Sequence, residues 1–163
     1  MCMTYIEAID NNEKEEDKRL KLFLAGGITN CSDWQKELAN KLMDLDIIVY
    51  NPRREKYPSG LEEVEKQIRW EYEKLKKSDI ISVWFAHETI QPITLYELGK
   101  WVNSHIKDKH FFIGIDPEYE RKIDVEIQTK LALEDNGIFD FVFYENIDDL
   151  AKAVRAYVDE IER

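Results

Sequence analysis

Cysteine is scarce in this chain: Cys2 and Cys31 are the only two in 163 residues. Two cysteines make no disulfide framework, so a reducing cytoplasmic compartment is the expected setting. Long hydrophobic runs are missing as well. The longest reach about six residues, against the ~20 that a bilayer crossing needs. The opening stretch from Met1 to Arg19 is polar and acidic, so no signal-type leader is expected and no membrane association is implied. Positive charge is in short supply, with 23 Lys and Arg against 34 Asp and Glu and a formal net charge of −11. Such a surface repels a nucleic-acid backbone and disfavours polymer binding. A small nucleotide remains compatible, because a pocket needs only one or two local cations. Several motifs are absent too: there is no Walker loop, no GxGxxG and no Ser-His-Asp logic. His105 and His110 are isolated from any metal-ligand spacing, so neither a metal nor a cofactor is expected.

What is present is an ordinary globular composition, 44% apolar and 12% aromatic, at a length that supports one domain with a full core. Residues 1–19 read as a charged, flexible leader in which residues 3–9 offer a short edge element. From residue 20 to 163 short apolar runs alternate with helical periodicity. Strands are expected at 20–25, 47–50, 80–85, 111–115 and 139–144, each rich in β-branched or aromatic residues. Helices are expected at 33–45, 62–77, 95–106, 125–133 and 148–161. Gly26-Gly27, Asn51-Pro52, Asp116-Pro117 and Asn136-Gly137 punctuate the junctions. Consecutive βα units predict a single doubly wound α/β domain, flavodoxin- or Rossmann-like, with a five-stranded parallel sheet. The common strand order 2-1-3-4-5 would put a pocket between the loops after the first and third strands. Those loops begin at Gly26 and Ala86.

Two carboxylates stand out near that pocket. Glu97 follows the third strand, and Thr94-Leu-Tyr-Glu97 fits a capping box. Glu97 therefore reads equally well as a cap and as a carboxylate held ionised by the helix dipole, competent to attack a sugar carbon. Glu71 borders the apolar stripe Val64, Ile68, Tyr72 and Leu75. A carboxylate against a core is either paired, for example with Arg53 or Arg54, or useful, unless it is simply exposed at the edge of the stripe. The turn Gly26-Gly27-Ile28 could offer backbone N–H groups to an anion, or need glycine for geometry alone. Asn51-Pro-Arg53-Arg54 presents two cations suited to a phosphate, or two ordinary surface residues. His87 could touch a substrate from its loop, and Trp84, Phe85 and Tyr96 could stack on a base or simply fill the core.

Taken together, the glycine turn in Phe23-Leu-Ala-Gly-Gly-Ile28, the Ser78-Asp-Ile80 strand start and Tyr96-Glu-Leu-Gly99 resemble the nucleoside 2-deoxyribosyltransferase superfamily. The closer similarity is to its less characterised "like" branch, carried by Asn51-Pro-Arg-Arg54, Ile68-Arg-Trp-Glu71, residues 92–101 and residues 121–129. The resemblance implies chemistry at the N-glycosidic bond of a nucleoside or nucleotide, with deoxyribosyl transfer through a glutamate glycosyl-enzyme. It gives Glu97 the part of nucleophile and Glu71 that of acid for the leaving base. It also implies that protomers pair as a homodimer or larger homo-oligomer. Two positions depart from the pattern: the first-strand tyrosine that orients the nucleophile is Phe23, and the base-contacting acid six residues before the nucleophile is Gln91. Rival readings are a nucleoside 5′-monophosphate N-hydrolase and a silent nucleotide-binding module.

Overall fold

The computed structural model describes residues 2–14, 16–56 and 59–161. The apolar runs become strands β1 (Thr4–Glu7), β2 (Lys21–Gly26), β3 (Ile48–Asn51), β4 (Ile80–Phe85), β5 (His110–Ile115) and β6 (Phe143–Tyr144). Between them lie helices α1 (Trp34–Lys41), α2 (Leu61–Lys77), α3 (Pro92–His105), α4 (Lys122–Glu134) and α5 (Ile147–Ile161). All neighbouring strands are parallel, in the order β1-β3-β2-β4-β5-β6. Without β1 this is the expected 2-1-3-4-5 order of a doubly wound α/β fold. Alternation along β2 sends Leu22 and Leu24 to the layer beneath α1 and α5, and Phe23 and Ala25 to the layer beneath α2, α3 and α4. Every residue of β4 is buried, as a strand covered on both faces requires.

The sheet has six strands rather than five. The extra one comes from the charged leader, where Thr4–Glu7 pairs with β3 and buries Ile6. Polar bonds hold this segment in place. Arg19 reaches Thr4 Oγ1 at 2.9 Å and grips Asp17 at 2.7 Å. Glu13 accepts from the buried Lys74 ammonium at 2.5 Å and from the Tyr50 hydroxyl. At the other edge the expected strand shrinks to Phe143–Tyr144, with Phe139 exposed.

Helix α2 corrects the periodicity reading. Its buried side chains are Trp70, Lys74 and Leu75, whereas Val64, Ile68 and Tyr72 are exposed. The inward face carries a lysine that Glu13 neutralises, so hydropathy pointed to the wrong side. Helix α3 begins at Pro92 rather than at Leu95, since proline's fixed φ suits a first helical position. Among the described residues, no helix is long and apolar enough to cross a membrane.

Candidate active site

The winding direction reverses between β2 and β4, and the loops leaving those strands part at that point. A cavity of about 530 Å³ opens there, floored by Ala25 and Gly26 and walled by α2 and α3. Its lining is mostly aliphatic, with Ile28, Pro52, Val64, Ile68, Ile90 and Ile93 prominent. Glu71 and Glu97 are the charged groups in it, and among the described residues no cation lines it.

Glu97 lies in the second turn of α3, because the helix starts three residues earlier than the capping box supposes. Thr94 is the third helical residue, buried and lining the cavity, and it caps nothing. The second-turn position takes Glu97 beyond the first helical turn, in which the dipole would favour its ionised form. Burial and the neighbouring Glu71 charge push the Glu97 carboxyl up to about 7, with Lys100 only partly offsetting them. Among the described residues nothing hydrogen-bonds its oxygens. Glu71 is also raised by burial, partly relieved by a 2.7 Å hydrogen bond from Gln67 Nε2. Neither arginine reaches it. Two desolvated carboxyls facing one apolar cavity do not both ionise readily, and together they hold a proton near neutral pH.

Gln91 joins the two loops that frame the cavity. Its Oε1 accepts the Gly27 N–H at 2.8 Å, and its Nε2 donates to the carbonyls of Ala86 at 2.6 Å and Thr89 at 3.2 Å. It adopts a left-handed backbone at φ 55° and is buried. All its polar groups face the backbone, so it is a staple between loops rather than a reader of a base. Gly27 is needed for close approach: a Cβ there would stand 2.5 Å from Cys31 Sγ and 2.7 Å from Gln91 Cδ. With its N–H taken by Gln91, Gly27 cannot offer that group to an anion. The start of α1 is no anion site either, because the Asp33 carboxylate caps it.

Five expected binding residues lie elsewhere. Phe23 is buried in the core, its ring 6.4 Å from that of Trp70, without reaching the cavity. Asn51 donates to the Tyr5 hydroxyl at 2.6 Å and accepts the Arg53 N–H. Arg53 turns beneath the β2–α1 loop, bonding Gln35 Oε1, Cys31 O and Ser32 O and pairing with Asp33. Arg54 is also occupied, by Lys56 O and Gln67 Oε1. These loops end in carbonyls that need donors, and sequence spacing does not show this. His87 stands off the cavity beside Asp116 at 2.9 Å, and that bond raises its pKa. With Glu118 it forms a set of metal-type ligand atoms within 4.8 Å of one another, gathered by the β4 and β5 loops. Trp84 and Phe85 are core residues, and Tyr96 is exposed outside the cavity, so none is placed to stack on a base there.

Gly26, Gly27, Ile28, Gln91 and Thr94 do line the cavity, with Thr29 and Asn30 of the same expected turn, and so does Gln67, which the sequence did not single out. Gln67 was legible in principle, since it stands one helical turn before Glu71. No curated protein matches the chain. The family model described as "Nucleoside 2-deoxyribosyltransferase like" matches residues 19–119, more than half of the sequence, and the chain belongs to that family.

Proposed function

We propose that this protein cleaves the N-glycosidic bond of a deoxynucleoside and passes the deoxyribosyl group to a second base. The observation that carries this reading is the pairing of Glu97 and Glu71 in one aliphatic cavity that no cation lines among the described residues. In the first step a Glu97 carboxylate oxygen attacks C1′ as the C1′–N bond breaks. The bonding pair leaves with the base, and Glu71 gives that nitrogen a proton. In the second step a nitrogen of the incoming base attacks C1′ and Glu97 leaves as carboxylate. Glu71 takes back the proton of the acceptor. Burial and mutual repulsion let the pair hold one proton near neutral pH, and the reactive form is the one with that proton on Glu71 and the charge on Glu97. A 2-deoxyribose suits the route, since without an electron-withdrawing 2′-hydroxyl the cation-like transition state costs less.

The lack of a lining cation among the described residues, with Arg53 and Arg54 committed to carbonyls, weighs against a 5′-monophosphate as substrate. A neutral nucleoside fits better. The same reading pairs two copies of the chain. Val64 and Ile68 of α2 and Ile93 of α3 line the cavity yet stay exposed, and Tyr72 and Tyr96 extend that apolar face. A second copy across it would close the open wall. Free Cys2 and Cys31 support a cytoplasmic setting.

The test is incubation with a deoxynucleoside and a different free base, followed by chromatography. Exchange of bases is expected, and it should disappear in Glu97→Gln. Base release from monophosphates alone would replace this reading with the hydrolase, and binding without turnover would replace it with a silent module. Full exchange by Glu97→Gln would remove the glutamate intermediate.

A further inference from the structure

We propose that Gln67 is a positioning residue for Glu71, holding Oε1 so that the transferable proton sits on Oε2. This inference rests on the function proposed above and assigns the atom from which the proton leaves. Gln67 stands one turn before Glu71 on α2 and lines the same cavity. Its carboxamide orientation is fixed by partners that each accept or donate only. Pro52 O can only accept, and it lies 2.8 Å from Nε2. The Arg54 guanidinium can only donate, and its Nη1 lies 3.3 Å from Oε1. The nitrogen must therefore face Pro52, and its second N–H points to Glu71 Oε1 at 2.7 Å.

In a neutral carboxyl the carbonyl oxygen is the better acceptor, so the oxygen that takes the Gln67 N–H at 2.7 Å is the one left unprotonated. When Glu71 carries a proton, Oε2 holds it, and Oε2 is the donor to the departing base. The charged groups around the pair are Glu97 on α3, Lys100 one turn beyond it, and Arg54 behind Gln67. Among the described residues, the loops after β2 and β4 bring no charge to the lining. Gln67 is thus the group through which the loop after β3 acts on the acid.

A purely structural Gln67, stitching α2 to Pro52, would change stability without changing how the acid titrates. The experiment follows the Glu71 side-chain carboxyl by NMR over pH in protein carrying 13C-labelled glutamate. Wild type is compared with Gln67→Met and Arg54→Met. Removing the donor should move the Glu71 titration to higher pH in Gln67→Met, and in the same direction but less in Arg54→Met. In parallel, kcat is measured on a neutral deoxynucleoside and on one whose purine is N7-methylated and leaves without protonation. Gln67→Met should lose about tenfold or more on the neutral substrate and little on the cationic one, as loss of acid assistance predicts. An unmoved Glu71 titration, or equal losses on both substrates, overturns the inference. If Gln67→Met does not fold, the Arg54→Met titration decides alone. If wild type releases no base from either substrate, the proposed reaction fails while the titration still judges Gln67.

Discussion

Glu97 shows how burial acts on both chemistry and stability. Its carboxyl is raised from about 4.5 in an unfolded chain to about 7 in the fold. Below pH 4.5 it is neutral in both states and costs nothing. Between about 4.5 and 7 the unfolded chain releases the proton while the folded one keeps it, so stability falls as pH rises and levels off above 7. Glu97→Gln should therefore unfold at a higher temperature than wild type at pH 8, with the two converging near pH 4.5. The gap at pH 8 should be on the order of 3 kcal/mol, read by thermal denaturation at both pH values. Turnover by wild type should fall as pH drops below 7, because the nucleophile is then protonated. Gln91 makes a different prediction. Gln91→Asp restores the acid usual in the transferases but removes the two N–H donors to Ala86 O and Thr89 O. It should lower stability by roughly 2 kcal/mol through unsatisfied buried carbonyls, measured in urea, without creating a base-binding acid.

At the scale of elements, β1 and α2 depend on one buried cluster. Lys74 and Glu13 have side chains 2% and 7% exposed and meet at 2.5 Å. Burial opposes ionisation of Glu13, yet hydrogen bonds from Lys74, Tyr50 and Lys77 outweigh it and hold the carboxyl at about 2. Its folded pKa is depressed, so its contribution is present above about 4.5 and is lost as pH falls toward 2. Lys74→Met should cost about 3 kcal/mol in urea unfolding by stranding the glutamate. Adding Glu13→Gln should recover most of that loss, a coupling a double-mutant cycle would read. The same cluster explains why the inward face of α2 was misread. A buried lysine breaks the apolar periodicity, and its partner lies 61 residues earlier in the chain.

For the whole molecule, the α2–α3 face is the test of assembly. Tyr72 and Tyr96 are 46% and 70% exposed and lie outside the cavity lining. Tyr72→Glu with Tyr96→Glu should convert a dimer to monomer in light scattering. It should also weaken turnover, because the open wall of the cavity would lose its cover. A protein that is monomeric before substitution would overturn the pairing.

Much was determined by sequence alone. Strands β2 to β5 followed from short apolar runs, which are local signals, whereas the strand order was taken as the one common to doubly wound sheets. The meeting place of the β2 and β4 loops followed from that order, and both carboxylates fell beside it. Tertiary structure decided what no local pattern encodes. It drew Arg53, Arg54, Asn51 and Gln91 into bonds with distant backbone, because buried carbonyls and N–H groups must find partners wherever the chain brings them. It turned α2 around a lysine paired far away, and by desolvation it replaced an ionised Glu97 with one poised near neutrality. Burial and long-range pairing arise only once the chain has closed on itself, so the two carboxylates beside the cavity were readable early and their charge state was not.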